Sequence, residues 1–278
     1  MKKRTRLTHK KELAHSDSHK KYLLGVKKNK LKIIIWQAAI LVAFIGAWEL
    51  LTRTGFVDSF LFSSPTRVLR MMRTLLVQQI FRHIGITLLE CILGFAVSTV
   101  LGAVIAIVLW WSQRARKVLE PYLVILNALP KVALGPMIIV WVGIGMSAII
   151  TMTILICIVV TIISVLHGFL ALDSGKILLM QSMGASKLQI LIKLILPGSL
   201  PNIMSALKVN IGLAWVGTIM GEFLVSRAGL GYLIVYGGQV FRMDLVVTSI
   251  VILCVLAGLM YLGVAIVERK LSKRYKVQ

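Results

Sequence analysis

The sequence has few charged residues and many apolar ones. Lys, Arg, Asp and Glu together make up 15% of its 278 residues, whereas 58% are hydrophobic. In a typical water-soluble domain about a quarter of the residues are charged. The apolar excess cannot fit inside one water-soluble core, so the composition predicts a protein with several membrane spans. The spans use almost the whole chain and leave no segment large enough to fold as a separate soluble domain.

The sequence also lacks the patterns of a metal, disulfide or nucleotide site. Its three cysteines, Cys91, Cys157 and Cys254, fall in apolar runs without a C-x-x-C pair, which predicts small buried hydrophobic side chains. The five histidines form no tight pair. The glycine-rich segment 228–233 lacks the G-K-[ST] ending of a phosphate-binding loop. We therefore expect no catalytic residues, no metal and no bound cofactor in this chain.

Positive charge is concentrated at the two ends of the chain, whose net charge is +22. Twelve of the 32 Lys and Arg residues lie in residues 1–32, and five lie in residues 269–278. Basic residues that flank membrane spans set topology and meet anionic headgroups. No aromatic platform accompanies them, which disfavours nucleic-acid binding. We predict that both segments are basic cytoplasmic tails.

The apolar runs predict six helical spans, because each crossing takes about 20 residues and must satisfy its own backbone hydrogen bonds. The run from 119 to 172 is too long for one crossing, and we divide it at GIGMS, residues 143–147. The predicted spans are 33–52, 84–111, 120–142, 147–166, 201–224 and 245–267. The chain is thus predicted to be an all-α polytopic membrane protein.

A short helix is predicted at residues 65–77, which begin with a proline. Its apolar residues share one face and the arginines lie elsewhere, as in a helix that lies in the membrane interface. That face holds Val68, Met71, Met72 and Leu75. We group this helix with the first span as residues 33–79 and treat 80–268 as the core.

The distribution of Lys and Arg between the spans predicts the orientation. With the N-terminus in the cytoplasm, the cytoplasmic segments hold 24 of these residues and the outer segments hold 7, with Lys131 left inside a span. Because cytoplasmic loops have an excess of Lys and Arg, both termini are predicted to face the cytoplasm. Residues 176–200 then belong to the longest internal cytoplasmic loop.

This loop contains a polar interruption, SMGASKLQILIKLILPGSLPNIM, at residues 182–204. The spacing predicts an amphipathic helix. Its apolar stripe is Leu188, Leu191, Ile192 and Ile195. Gly184 permits a sharp turn before this helix, and Pro197 and Pro201 are expected to end it. The pattern fits either a segment that only leads the chain back into the fifth span, or a surface that binds a cytoplasmic partner.

The loop resembles that of permease subunits in bacterial binding-protein-dependent ATP-binding-cassette (ABC) importers. The family motif runs E-A-A, three residues, G, nine residues, I-x-L-P. Gly184 aligns with the glycine, and residues 194–197 align with I-x-L-P without a gap. Leu178, Leu179 and Met180 stand at the E-A-A positions, so the acid of the motif is missing. We therefore predict an apolar rather than an ionic contact with the ATPase.

The resemblance implies which residues of the loop couple the permease to its ATPase. These are Leu178, Met180, Gly184, Ala185, Leu188, Leu191, Ile192, Leu194, Leu196 and Pro197. Two further segments agree with the family, ALPKVALGPMIIVWVGIG at 128–145 and MGEFLVSRAGLGYLI at 220–234. The second is similar to permeases of the nitrate, sulfonate and taurine branch. The resemblance covers roughly residues 80–268.

The resemblance also implies a type I importer fold, a bacterial cytoplasmic membrane location, and partners. The partners are a second copy of the chain, two cytoplasmic ATPase subunits that bind ATP and Mg, and an extracytoplasmic solute-binding protein. The solute is a small molecule, with an anion such as a sulfonate, taurine or nitrate favoured, and bicarbonate or a thiamine-precursor pyrimidine left open. The alternatives are a secondary transporter that needs no ATPase, and a membrane scaffold protein. No internal repeat supports the former.

Four ionisable residues lie in or near the predicted spans, where charge is costly and often functional. Glu49 is one turn from Arg53, which favours a local pair. Glu90 fits a buried structural hydrogen bond or a place on the translocation path. Glu222, near the outer end of span five, and Lys131 are candidates for the path or a gate, although each also permits a structural role.

Overall fold

The computed structural model describes residues 2–77 and 80–275, and these residues are almost entirely helical. The chain forms two compact units, Met1–Arg67 and Val68–Gln278. The predicted boundary at residue 79 and the end of the predicted C-terminal tail, 276–278, lie outside the described residues.

The first unit contains helix α1, Lys2–Arg53, and the short helix α2, Ser59–Phe62. Helix α1 is longer than the predicted span, because no proline interrupts the basic residues before it and Lys and Arg are good helix formers. Its portion long and apolar enough to cross a membrane is Leu24–Arg53. The predicted pair is confirmed, since Arg53 Nε lies 2.6 Å from Glu49 Oε1.

Helix α3, Pro65–Val77, begins at the boundary between the units and matches the predicted interfacial helix. Val68 and Leu75 on its apolar face are both buried. The remaining helices are α4 Ile80–Trp111, α5 Gln113–Ala128, a 3₁₀ turn at Lys131–Leu134, α6 Gly135–Val142, α7 Met146–Leu170, α8 Ser174–Ser182, α9 Lys187–Ile190, a π-helical turn at Leu191–Ile195, α10 Leu196–Val225, α11 Leu230–Gln239 and α12 Met243–Tyr275.

Within the described residues, five helices are long and apolar enough to cross a membrane, or six if the bent pair around residue 130 counts as one span. The predicted span 120–142 is therefore not a straight helix. Its two parts, Gln113–Ala128 and Lys131–Val142, meet at 85°. Pro130 explains the break, because proline has no N–H and disfavours helical geometry in the residue before it.

The prediction that prolines end the loop helix at residue 197 is wrong. Helix α9, the π turn and α10 run on as one helical segment, Lys187–Val225. The N–H of Leu196 bonds to the carbonyl of Leu191, five residues earlier. Pro197 directly follows this wider turn, so its missing N–H falls where the regular backbone hydrogen bonding is already interrupted. Pro201 lies inside α10 and does not end it either.

The core of the second unit forms where α7 packs between α4 and α10. Glycines permit α4 and α10 to approach α7 closely. A Cβ atom added to Gly94 of α4 would lie 2.5 Å from Thr153 Cγ2 of α7, and one added to Gly217 of α10 would lie 2.7 Å from Thr153 Cα. Thr153 also hydrogen-bonds to Thr218 of α10 at 3.0 Å. The three helices therefore meet around one small polar residue, as is common in membrane bundles.

The cysteines only partly match their prediction. Cys91 and Cys157 are buried in this core, whereas Cys254 of α12 is exposed. Helix α12 has few buried residues, so much of its apolar surface faces outward. An exposed thiol on an apolar helix face is compatible with a lipid-facing position.

Candidate functional site

The turn between α8 and α9 is built by two helix-end motifs. Gly184 has φ +78°, the left-handed conformation that favours glycine. Its N–H bonds to the Gln181 carbonyl at 2.9 Å, and the Ala185 N–H bonds to the Met180 carbonyl at 3.0 Å. This pair of bonds is the Schellman pattern that closes a helix. The predicted turn at Gly184 is confirmed.

Helix α9 starts with a capping box. Ser186 Oγ accepts the Gln189 N–H at 3.3 Å, and Gln189 Oε1 accepts the Ser186 N–H at 2.8 Å. We call residues 174–195 the α8–α9 hairpin. Four residues join its two helical arms, and the backbone hydrogen bonds of these residues define the angle between the arms.

The predicted apolar stripe of the hairpin is divided in the structure. Leu191 and Ile195 are buried, whereas Leu188 and Ile192 are more than half exposed. The π turn explains the difference, because its wider turn places residues five apart, rather than three or four apart, on one face. Ile190 and Ile195, five apart, are both buried with Leu191 in the core beside α7.

A set of large apolar side chains on the hairpin therefore faces outward. We call these five residues the exposed apolar set. Each is between 53% and 78% exposed: Leu178, Leu179, Met183, Leu188 and Ile192. Met180, Ala185, Leu194, Leu196 and Pro197 are partly buried, so they support the hairpin rather than form its outer surface.

The hairpin is also tied to the end of α4. Lys187 Nζ donates to the Trp111 carbonyl at 2.5 Å. The same ammonium lies 5.8 Å from the Trp110 ring centre and 5.3 Å from that of Trp111. Both distances suit a cation–π interaction. The contact between Lys187 and Trp111 joins positions 76 residues apart, which no sequence periodicity connects.

At the other end of α10, Glu222 forms a buried hydrogen-bonded cluster. The Thr87 hydroxyl of α4 donates to Glu222 Oε1 at 2.6 Å and accepts the Leu230 N–H at 2.8 Å. The Gly231 N–H donates to Glu222 Oε2 at 2.5 Å. Glu222 is 1% exposed. One carboxyl group therefore joins the end of α10 to α4 and to the start of α11.

Glycines let the backbone reach this carboxyl group. A Cβ atom added to Gly231 would lie 2.6 Å from Glu222 Oε2. Gly229 has φ +123°, and its N–H donates to His83 Nδ1 at 3.0 Å. The same Nδ1 lies 3.2 Å from the Gly229 carbonyl oxygen, so it contacts both polar backbone groups of Gly229. We call Glu222, Glu90, Thr87, His83 and residues 229–231 the Glu222 cluster.

Glu90 is the other carboxyl group of this cluster. It is 2% exposed, and its Oε2 receives no hydrogen bond from an N–H or O–H donor within residues 2–77 and 80–275. Its carboxyl group lies beside that of Glu222.

The structure thus brings together two of the three predicted path residues. Lys131 is not in the cluster, and its Nζ donates to the Asn127 carbonyl at 3.4 Å, one turn earlier. Thr87 and His83 were missed as members of the cluster. A signal was present, because His83, Thr87 and Glu90 follow one another at intervals of four and three residues on one face of α4.

Replacement of Glu222 by glutamine, a side chain of nearly the same size, should weaken the hydrogen bonds of the Glu222 cluster. The amide offers one acceptor oxygen, whereas Thr87 and Gly231 both donate to the carboxylate, so one donor is left facing an NH₂ group. An unmade buried hydrogen bond of this kind costs about 1–3 kcal/mol. We expect a lower melting temperature for purified Glu222→Gln, measured by thermal denaturation.

Two threonine variants serve as matched controls for the same contact. Thr87→Val removes the hydroxyl group and should lower the melting temperature in the same direction, whereas Thr87→Ser keeps the hydroxyl group and should have a smaller effect. Equal effects of valine and serine would show that the hydroxyl bond to Glu222 does not stabilise the fold.

A cavity of about 400 Å³ lies beside Glu90. Three parts of the chain line it: Ile86 and Glu90 of α4, residues 144–146 and Ile149 at the α6–α7 turn and the start of α7, and residues 225–228 at the α10–α11 turn. Arg227 is exposed and lies on the last of these parts. The cavity is therefore lined by a buried acid, an arginine, Ser226 and mainly apolar residues.

Comparison with known proteins agrees with this architecture. Residues 98–273 match the family model described as "Binding-protein-dependent transport system inner membrane component". The chain is 25% identical over 238 residues to the taurine transport system permease protein TauC of Escherichia coli strain K12, covering 84% of this chain and 86% of that protein. It is 29% identical over 250 residues to the putative aliphatic sulfonates transport permease protein SsuC of Bacillus subtilis strain 168, covering 89% and 91%.

Two solved structures share the fold. One is the methionine ABC transporter MetNI in an inward-facing conformation, with a TM-score of 0.59 and 23% identity, covering 72% of this chain and 97% of that chain. The other is a bacterial ABC transporter involved in the import of the acidic polysaccharide alginate, with a TM-score of 0.59 and 16% identity, covering 87% and 98%. The predicted fold class, an all-α type I importer permease, is confirmed.

Proposed function

Since the chain belongs to the family of binding-protein-dependent transport system inner membrane components, we propose that its α8–α9 hairpin couples ATP hydrolysis on separate subunits to alternating access in the membrane. The observation that supports this most is the exposed apolar set on a hairpin whose core-facing side is firmly packed. An apolar surface of this kind on a helical hairpin suits docking into an apolar groove of a partner.

The occupant we propose for this surface is the ATPase subunit. With leucines and methionine at residues 178–180, the hairpin offers no acid at the first motif position, so the contact depends on apolar burial. Leu188 and Ile192 lie on one arm, and Leu178, Leu179 and Met183 on the other or at the turn. Both arms therefore contribute to one docking surface on either side of Gly184.

Movement of the hairpin would reach the membrane through α10. The segment Lys187–Val225 has 39 residues, and at 1.5 Å per residue a helix of that length extends about 58 Å. It begins in the hairpin and ends three residues after Glu222. The π turn and Pro201 are the places where this segment differs from regular α-helix, and π turns often occur at functional sites.

The contact of Lys187 with α4 provides a second connection. A force on the hairpin would be passed to the end of α4 as well as to α10. The two helices meet again at the Glu222 cluster, where Thr87 of α4 bonds to Glu222 of α10. We propose that this cluster closes the outer end of the path in the conformation described here, and that Glu222 and Glu90 act at this gate.

The partners and the solute follow from the same proposal. We propose two ATPase subunits that bind ATP and Mg, an extracytoplasmic solute-binding protein, and a homodimer of permeases in the bacterial cytoplasmic membrane with both termini inside. The excess of Lys and Arg in the predicted cytoplasmic segments, 24 against 7, supports this orientation. The taurine and aliphatic sulfonate relatives support a small sulfonate as solute.

Co-purification from native membranes tests this function directly. We expect an ATPase subunit to be isolated with the full-length chain, in equal copy number, and a binding protein to stimulate its ATP hydrolysis when loaded with solute. Recovery of the chain without any ATPase would contradict the proposal and would favour a secondary transporter or a scaffold protein.

A further inference from the structure

We propose that a second cavity, at the end of the spans opposite the α8–α9 hairpin, binds the phosphate headgroup of an anionic phospholipid through Arg242. The cavity has a volume of about 260 Å³ and lies between α3, α4, α11 and the start of α12. We call it the Arg242 cavity. It shares no lining residue with the cavity beside Glu90, and the inference does not depend on the transported solute.

The Arg242 cavity lies at the depth of lipid headgroups. Helix α3 beside it has the pattern of an interfacial helix, and the candidate spans of α4 and α12 both begin at this end. Tyr232 and Tyr236 of α11 stack on each other with ring centres 6.0 Å apart. Tyrosine is enriched where a membrane meets water. A ligand in this cavity therefore has headgroups on one side and acyl chains on the other.

Most of the cavity lining is apolar. Four of the seven lining residues are aliphatic, and they come from four different helices: Leu75, Ile80, Leu233 and Leu245. All four are buried. A volume of about 260 Å³ is below the usual range for a whole small-molecule ligand, so it suits a headgroup and the first carbons of its chains.

The polar part of the lining offers positive charge and donors but no acid. It consists of His83, Tyr236 and Arg242. Within residues 2–77 and 80–275 the Arg242 guanidinium forms no ion pair, and its hydrogen bond goes to Met71 Sδ at 3.8 Å, a weak acceptor. The planar fork of a guanidinium suits the oxygen atoms of a phosphate group. Arg242 is therefore available to bind an anion.

The backbone fixes the position from which the Arg242 side chain starts. The Arg242 N–H donates to the Gly237 carbonyl at 2.7 Å, and the Arg242 carbonyl accepts the N–H groups of Leu245 and Val246. A Cβ atom added to Gly237 would lie 3.2 Å from the Arg242 carbonyl oxygen. The turn between α11 and α12 is thus closed tightly, and it holds Arg242 at the cavity.

A phospholipid fits this combination better than a soluble anion or an acidic protein side chain does. It brings a phosphate group and apolar chains in one molecule, so it satisfies the arginine and covers the leucines together. The exposed Arg73 of α3 and Arg82 of α4 lie within two residues of lining positions and add to the attraction for anionic headgroups.

The bound lipid would also stabilise the nearby Glu222 cluster. His83 lines the Arg242 cavity, and its ring stacks on Tyr232 with centres 6.2 Å apart. The same ring accepts the Gly229 N–H at 3.0 Å. A lipid that packs against His83 therefore supports the turn at which α11 begins.

The experiment measures lipid binding to the full-length chain, purified in detergent with the subunits that accompany it. Native mass spectrometry counts the bound molecules and gives a dissociation constant for each probe. Dioleoylphosphatidylglycerol has both the phosphate group and the chains. Dioleoylglycerol has the same chains without phosphate, and glycerol 3-phosphate has the phosphate group without chains.

We expect one phosphatidylglycerol per chain to bind at least about tenfold more tightly than either other probe, because the charged contact and the apolar burial act together. Arg242→Gln should weaken phosphatidylglycerol about tenfold and leave dioleoylglycerol unchanged. Arg242→Lys keeps the charge and should lose less. Arg73→Gln removes an exposed arginine that does not line the cavity, and this control should bind phosphatidylglycerol as the wild type does.

Thermal denaturation separates a binding role of Arg242 from a structural one. Arg242 is exposed, so Arg242→Gln without added lipid should melt at the wild-type temperature. A ligand that binds only the folded state raises the melting temperature. Saturating phosphatidylglycerol should therefore stabilise the wild type more than Arg242→Gln. A lower melting temperature without lipid, combined with unchanged lipid affinity, would overturn the inference and give Arg242 a structural role.

Three further results would overturn the inference. Equal affinity of the wild type for phosphatidylglycerol and either other probe would show recognition of the chains or of a soluble phosphate alone. Equal losses in Arg242→Gln and Arg73→Gln would show attraction by general surface charge. Lost stimulation by the solute-binding protein in Arg242→Gln, with unchanged lipid binding, would assign the cavity to that partner. In the first two cases the transport function stands, because uptake does not enter the measurement.

Discussion

Replacement of Leu188 by glutamate should detach the permease from its ATPase and abolish ATP-driven uptake. Leu188 is 53% exposed on the α8–α9 hairpin and belongs to the exposed apolar set. A charge in the centre of an apolar interface loses the contact and must itself be desolvated. We expect a loss of about 2–4 kcal/mol in binding, which is about 30- to 1000-fold in affinity. Co-purification and solute-stimulated ATPase activity measure the effect.

A matched variant adds the same charge to the same hairpin outside the exposed apolar set. Ser174 is exposed at the first residue of α8, where an acidic side chain is compatible with the helix dipole. Ser174→Glu should therefore retain the ATPase and its stimulation. Normal coupling in Leu188→Glu, or equal losses in both variants, would contradict docking through the exposed apolar set.

Replacement of Gly217 by alanine should destabilise the helix bundle itself. The added Cβ atom would lie 2.7 Å from Thr153 Cα, which belongs to the backbone of α7 and cannot rotate away. Overpacking of a core costs about 1–3 kcal/mol, and a backbone clash belongs at the upper end of that range. We expect a lower melting temperature and less folded protein in the membrane, measured by thermal denaturation and fluorescence-detected size exclusion.

Gly212 provides the control on the same helix. A Cβ atom at this position would meet no atom within 4 Å, so the Gly212→Ala variant adds the same methyl group in open space. Alanine is also a better helix former than glycine. Gly212→Ala should therefore be as stable as the wild type or more stable. Equal stability of the two alanine variants would show that α7 and α10 do not pack as described.

The spans and the turn at Gly184 were predictable because each depends on local sequence. A long apolar run determines a span, and a glycine between two helical patterns determines a turn. The π turn at Leu191–Ile195 was not predictable in this way. The stripe of Leu188, Leu191, Ile192 and Ile195 assumed 3.6 residues per turn throughout. With one wider turn in the helix, Leu191 and Ile195 are buried and Leu188 and Ile192 are exposed.

The Glu222 cluster could not be predicted from the sequence, because it depends on contacts between residues far apart in the chain. Glu90 and Glu222 were each identified by their position in apolar runs, but 132 residues separate them. Their contact depends on the packing of α4 and α10 against α7, which the glycines at 94 and 217 permit. The periodicity of apolar residues along one helix shows which of its own faces is apolar. It does not show which faces of two different helices pack together.

Uptake by the purified components in proteoliposomes is the most direct test of the central claim, that this permease moves its solute through a hairpin driven by separate ATPase subunits. We predict that the wild-type chain accumulates solute only with its ATPase subunits and ATP present, that vanadate stops the uptake, and that Leu188→Glu abolishes it while Ser174→Glu does not. Accumulation by the chain alone, without an ATPase and insensitive to vanadate, would contradict the claim.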